Sequence, residues 1–221
     1  MLRRLVPLLP SSRHCCAVLV IAGISRASAT RCNSSFNSSS METTTFAGGC
    51  FWCVEAPYSE LKGVKSAVSG YIGGSVESPT YRQVCEGDTG HAEAVRVTFD
   101  PAEVSFAQLL DVFFTLHDPT QLDRQGNDVG TQYRSAIFYS SPAQLEAAKA
   151  KIAALNASGK LPGPVVTKLE DASRYVWYEA EGYHQKYVKL NPAQGYVRGV
   201  SIPKLVKVRS TFPQLIDSSK S

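Results

Sequence analysis

Residues 48–55 read Gly-Gly-Cys-Phe-Trp-Cys-Val-Glu, and they force an abrupt change of backbone. Ahead of them Thr43–Ala47 is a short β-prone run. Behind them Phe51, Val54, Tyr58 and Leu61 recur at helical spacing and stop at Gly63. The chain must pass from strand to helix within two glycines, which places Cys50 at or near a helix N-terminus. Unpaired backbone N–H groups and the helix dipole favour a negative charge there. A thiol so placed is expected to have a lowered pKa, and the thiolate is its nucleophilic form. Cys53 stands about one turn further along the same face, within disulfide reach if backbone and side chains permit. The octet reads as redox chemistry with an aromatic wall, Phe51 and Trp52, beside the reacting sulfur.

Two duller readings compete: half a structural zinc site, or a pair of inert buried thiols. Structural zinc needs about four ligands, commonly two Cys-x-x-Cys pairs. No second pair exists, and His14, His91, His117 and His184 are far apart in sequence. No metal is expected. A glycine-flanked helix start is also a poor place to hide an inert thiol.

The 221 residues are 43% hydrophobic and 19% charged, enough for one domain of ordinary size with a real core. The formal charge of +4 misleads, because residues 1–41 hold five arginines and no acid. Removing those five leaves −1 for the rest, so the body carries no basic stripe for nucleic acid. The arginine-bearing, serine-rich, acid-free leader has the composition of an organellar transit peptide, with the mitochondrion as the expected destination. A plastid address or a secretory signal cut near Ala27-Ser28-Ala29 are the alternatives. The apolar run Cys15–Ile24 is too short to span a bilayer, so no membrane segment is expected. Met41, directly before the folded pattern, would yield a cytosolic form if used as a second start. Of the six cysteines, Cys15, Cys16 and Cys32 lie in the leader. Cys50, Cys53 and Cys85 are too few to staple a secreted scaffold and suit a reducing compartment.

Residues 34–40 read as a serine and asparagine linker. Val64–Tyr71 and Ala94–Phe99 read as strands, the second with Val95, Val97 and Phe99 on one face. Residues 75–92, with Pro79, Gly87 and Gly90, read mainly as loop. Ser105 with Gln108, and Ser141 with Gln144, are capping boxes, and Pro142 suits a first helical position. Asp118–Thr131 is a long polar loop, Arg134–Tyr139 and Val165–Leu169 are strands, and the pattern beyond Gly195 fades into an irregular tail. The expected fold is one α+β domain of two layers over residues 42–200. Helices pack on a mainly antiparallel or mixed sheet, a ferredoxin-like variant with about five strands, followed by a tail at 201–221.

Glu93 leads a strand among apolar neighbours in Thr-Gly-His-Ala-Glu-Ala. A desolvated carboxyl has a raised pKa and could donate a proton; an exposed strand-start glutamate is the plainer reading. Tyr81 and Tyr133 sit at loop–element boundaries, where a phenol can donate a hydrogen bond to substrate or simply pack. Asp128 either binds something or turns its loop. His184 reads as a structural helix residue.

Together these segments resemble the A-type peptide methionine sulfoxide reductases. The matching stretches are Gly49–Trp52, Ser78–Cys85, Thr89–Ala94, His117–Gln121 with Gln125–Ser135, and Glu179–Gln185, in the family's order. The resemblance implies reduction of methionine S-sulfoxide, free or in oxidised proteins, with Cys50 as nucleophile. It implies that Glu93, Tyr81 and Tyr133 hydrogen-bond the sulfoxide oxygen, with Glu93 donating the proton. Phe51 and Trp52 would cradle the S-methyl group, and Asp128 would help hold the polar part. Attack by Cys50 would leave a sulfenic acid that a nearby thiol condenses to a disulfide. Thioredoxin, not a bound cofactor, would restore the enzyme. Some members carry resolving cysteines near the C-terminus; this chain has none after Cys85, and it has Cys53 where many have glycine. A Cys50–Cys53 disulfide is therefore expected, with Cys85 structural. A monomer is expected. The rivals are a thioredoxin-like disulfide oxidoreductase, which leaves Glu93 and the aromatic pair unexplained, and a non-catalytic module that binds methionine or its sulfoxide.

Overall fold

The computed structural model describes residues 40–220. All but the last two residues of the leader read over 1–41 lie outside them. In chain order the elements are β1 (Glu42–Gly48), α1 (Phe51–Ser59), β2 (Val64–Ile72), α2 (Tyr81–Glu86), β3 (Ala92–Phe99) and α3 (Phe106–Leu116). There follow β4 (Arg124–Gln125), β5 (Asp128–Val129), β6 (Ser135–Tyr139), α4 (Pro142–Ala157) and β7 (Lys168–Asp171). The chain ends with β8 (Tyr178–Glu179), α5 (Tyr187–Leu190) and α6 (Ile202–Thr211).

Six strands form one sheet in the order β7-β6-β1-β3-β2-β8, antiparallel except for the parallel β6–β7 pair. This is the expected two-layer α+β domain with a mainly antiparallel sheet. Side chains alternate across a strand, so odd and even residues of β3 serve two different cores. Glu93, Val95, Val97 and Phe99 share one face with Phe46 of β1 and Tyr71 of β2, through the pairs Phe46–Val95 and Tyr71–Glu93. That face meets α1, α3 and α6 in the main core, with Phe51, Val54, Tyr58, Leu109, Phe113 and Val208. The other face carries a smaller cluster of Ala47, Ile72, Ala92, Ala94, Ala136 and Phe138, covered in part by Tyr175 and Trp177. Parity thus turns the Glu93 carboxyl to the face on which α1 packs.

The turn between β1 and α1 needs its glycines. Gly49 has φ +92°, and a Cβ there would lie 2.7 Å from Gln125 Cβ.

Several local expectations need correction. Residues 75–92 hold α2, whose capping box is reciprocal: Thr80 Oγ1 accepts from Gln83 N–H and Gln83 Oε1 accepts from Thr80 N–H. Six residues are too few to show helical periodicity in a sequence. The long polar loop contains the β4–β5 hairpin, and the strand placed at 165–169 runs instead at Lys168–Asp171. At α4 the cap is one-sided. Ser141 Oγ accepts from Gln144 N–H, but Gln144 Oε1 accepts from Ser140, one residue too early for the box. The largest difference is at the C-terminus. The segment read as irregular is a π-helical turn, Val197–Ser201, running into α6, with Val197, Leu205 and Val208 buried. A short helix buried on one side by two or three residues leaves little pattern in sequence.

Candidate active site

Cys50 is the N-cap residue of α1 and is 7% exposed. Its side chain makes no capping bond, so the first amide of the helix is satisfied otherwise: Phe51 N–H donates to Glu93 Oε2 at 3.0 Å. Helix start and strand β3 are locked together by this one bond, and the acid comes to lie one residue from the candidate nucleophile. Glu93 is 1% exposed, and burial pushes its carboxyl up to about 8 against the pull of the Phe51 amide, with the charges of Asp128 and Cys53 adding to the rise. At neutral pH it keeps its proton, as a proton donor must.

The thiols are not as the helix position suggested. Burial, then the hydrogen bond to Cys53 and the nearby Glu93, push the Cys50 thiol well up. Cys53 is drawn down to about 6, above all by the hydrogen bond from Cys50, with Lys204, Ser201 and Tyr196 also favouring its anion over burial. The expectation of a lowered pKa at Cys50 is thus overturned for the resting site. Within the pair, burial and Glu93 weigh against an anion on Cys50, and the surrounding donors favour one on Cys53. Donors explain the asymmetry: Cys53 Sγ lies 3.2 Å from Ser201 Oγ and 3.7 Å from the Tyr196 hydroxyl, whereas Cys50 faces an acid. All three described cysteines are free, and Cys85 is exposed on α2, hydrogen-bonded to Tyr81.

Aromatic rings pack around Phe51 and Trp52, the two residues between the thiols. Phe51 is fully buried against Tyr71, Tyr81 and His184, with ring centroids 5.9, 6.3 and 5.0 Å away. Trp52 is half-buried and stacks on Tyr187 at 3.7 Å, with the planes 5° apart. Trp52 therefore offers a partly open wall, while Phe51 backs it from within. Tyr81 and Tyr133 are half-buried, and burial followed by the charge of Glu93 raises both phenols, so both stay protonated donors. Asp128 accepts from the Tyr196 hydroxyl at 2.6 Å, so its carboxylate is held by the protein's own side chain.

His184 requires a second reading. It ends a 3-10 turn, Gly182–His184, and its Nδ1 accepts from Trp52 Nε1 at 3.1 Å, which fixes the indole. Burial lowers its pKa, keeping the ring neutral and able to accept. Glu181 accepts from Tyr71 Oη and from Tyr81 N–H, at 2.7 and 2.8 Å. Gln185 clamps the same segment to the backbone of Ser69 in β2. Glu55 of α1 accepts from the Lys186 amide at 2.8 and 3.0 Å, where the backbone has φ +54°. Residues 181–187 thus form a strap that sets Trp52 and Tyr81. Glu181 and His184 stand in the Glu179–Gln185 stretch, but nothing in the sequence assigned them partners. Tyr196, Ser201 and Lys204 gave no sequence signal. A separate cavity of about 640 Å³ lies between α1, α5 and α6, lined by Glu55, Leu205 and Arg209 among others. It does not include Cys50.

Comparison with known proteins bears on this arrangement. Residues 42–215 match the family model described as peptide methionine sulfoxide reductase. A relative from Ralstonia nicotianae, "Peptide methionine sulfoxide reductase MsrA", is 53% identical over 174 residues, covering 78% of this chain and 91% of its own. One of the same name from Chromobacterium violaceum is 52% identical over 178 residues, covering 80% of this chain and 100% of its own. Among solved structures, methionine sulfoxide reductase A of Corynebacterium diphtheriae superposes with a TM-score of 0.62 at 38% identity, over 70% of this chain and 76% of that one. Reduced Mxr1 from Saccharomyces cerevisiae gives 0.62 at 35% identity, over 70% and 87%. A protonated acid held beside a thiol pair inside an aromatic wall, in a chain this similar throughout its body, has one consistent explanation. The chain belongs to the A-type peptide methionine sulfoxide reductases.

Proposed function

We propose that Cys50 attacks the sulfur of methionine S-sulfoxide while Glu93 protonates the leaving oxygen. The observation that carries this is the Phe51 N–H bond to Glu93, which holds a buried, protonated carboxyl beside the N-cap thiol. A sulfoxide sulfur is a poor electrophile until its oxygen is protonated or strongly hydrogen-bonded, so a neutral acid supplies what the reaction lacks. Tyr81 and Tyr133, both kept protonated, add donors to the same oxygen. Trp52 flanks the S-methyl group with Phe51 behind it, and Asp128 meets the polar part of the substrate together with Tyr196. As Cys50 attacks, its proton passes to Cys53 through the hydrogen bond they already share. The protonated oxygen passes from the substrate sulfur to the Cys50 sulfur as the new bond between the two sulfurs breaks, so methionine leaves and Cys50 becomes a sulfenic acid. Cys53 then closes a disulfide with Cys50 and water leaves.

The reductant that reopens the disulfide is thioredoxin, and the enzyme needs no bound cofactor or metal. Its substrates are oxidised proteins and free methionine sulfoxide, which makes it a repair enzyme. It acts as a monomer, which light scattering on the purified chain tests. The leader directs it to the mitochondrion, and fusing residues 1–41 to a fluorescent protein tests that.

Two measurements test the chemistry. With separated epimers, only the S-sulfoxide is expected to yield methionine; equal rates on both sink the assignment. Cys53→Ser is expected to release one methionine per enzyme and then stop. Full thioredoxin-dependent turnover in that variant, or a Cys50–Cys85 disulfide in the oxidised enzyme, would show that Cys53 does not resolve the intermediate.

A further inference from the structure

Closing the disulfide requires an anionic sulfur at Cys53, a residue only 1% exposed. Burial by itself works against that anion. Attack by Cys50 hands its proton to Cys53, so Cys53 must lose that proton again before it can attack, and Cys50, now a sulfenic acid, no longer offers it a thiol donor. The remaining neighbours come from the C-terminal segment: Tyr196, Ser201 and Lys204. A phenol has one proton, and Tyr196 donates its own to Asp128 Oδ2 at 2.6 Å. Its oxygen lies 3.7 Å from Cys53 Sγ, the longer of the two contacts. Ser201 is fully buried, and its hydroxyl stands 3.2 Å from the same sulfur.

We infer that Ser201 is a positioning residue for the second chemical step, donating its hydroxyl proton to the Cys53 thiolate and aiming it at Cys50. The inference rests on the reading of Cys53 as the resolving thiol and adds what makes it competent. In this step Cys53 Sγ attacks Cys50 Sγ, the S–S bond forms and the S–O bond breaks. The proton that Cys53 took from Cys50 passes to the leaving hydroxide, which departs as water. The Cys53 sulfur is oxidised and the Cys50 sulfenic sulfur is reduced, so no outside oxidant is needed. The groups facing Cys53 are Cys50 and Glu93 on the strand side, and Tyr196, Ser201 and Lys204 on the helix side, with Asp128 behind Tyr196. Among the helix-side groups, Ser201 is the one neutral donor whose proton is not already committed to a carboxylate.

The test is a single turnover of the full chain with methionine S-sulfoxide, following methionine release and the decay of dimedone-trappable sulfenic acid. In Ser201→Ala the ratio of disulfide closure to methionine release is expected to fall about tenfold at pH 6. The fall shrinks at pH 8, because the apparent pKa of closure moves up when a donor to the thiolate is lost. Ser201→Thr, which keeps the hydroxyl, restores the ratio, and Tyr196→Phe moves the profile less than Ser201→Ala. An unchanged ratio in Ser201→Ala, or an equal fall at both pH values, overturns the inference. Ser201→Gly replaces the alanine variant if its methionine burst is low, and the same outcomes apply. Failure of the resolving-thiol reading looks different, because Cys53→Ser would then clear its sulfenic acid at the parent's rate.

Discussion

Glu93 accepts a hydrogen bond from the first amide of a helix, an environment that ordinarily holds a carboxylate ionised. Here desolvation wins, because the residue is enclosed by the sheet on one side and α1 on the other. The outcome is a functional proton at neutral pH. Glu93→Gln keeps a hydrogen-bonding side chain of the same size but has no acidic proton. Methionine release in a single turnover is expected to fall at least about 100-fold, the usual worth of a general acid. Release near the parent rate would remove Glu93 from the chemistry. In the parent, release is expected to decline as pH rises through about 8, where Glu93 ionises. The thiols carry the same lesson in reverse. Cys50 stands at the helix start, yet the donors surround Cys53 and favour the anion there.

At the scale of elements, the molecule depends on two short pieces of chain. One is the Gly48-Gly49 turn, where positive φ and the nearby Gln125 exclude a side chain. Gly49→Ala is expected to cost about 1–3 kcal/mol in a urea titration, and to slow methionine release by shifting Cys50. A variant as stable and as active as the parent would refute the constraint. The other piece is α6, which lies against α1 and α3 and puts Val208 into the main core. Val208 is fully buried. Val208→Ala is expected to destabilise the protein by about 1–3 kcal/mol, a cost typical of large-to-small changes in a core. A loss under about 0.5 kcal/mol, usual for surface sites, would mean that α6 is peripheral.

For the whole molecule the buried acids predict a pH dependence of stability. Glu93 rises from 4.5 to about 8 and Glu55 to about 7, both chiefly through burial. A raised carboxyl contributes its full stability below its unfolded pKa and loses it as pH climbs through the folded value. Cys53, drawn down to about 6, opposes this above pH 6, since its contribution appears only as its thiolate forms. The clean window is pH 4.5 to 6, and subtraction of a variant isolates one group. Unfolding free energy of the parent minus that of Glu93→Gln is expected to drop by about 2 kcal/mol across that window. A flat difference would place an ionised Glu93 in the folded protein.

What the chain determined by itself is what local chemistry controls. The glycine pair between a β-prone run and a helical spacing located Cys50. Ser105 with Gln108 announced α3, and alternation in Ala94–Phe99 announced β3 and put Glu93 in line with Val95 and Val97. Those signals are read over a few residues, so one sequence suffices for them. Only the tertiary structure decided which sulfur carries charge, that His184 fixes the Trp52 indole, that Tyr196 occupies Asp128, and that Ser201 meets Cys53. Such contacts join residues separated by between 68 and 148 positions. No periodicity or motif encodes a meeting at that range, because it depends on how whole elements pack and not on the neighbours of any one residue.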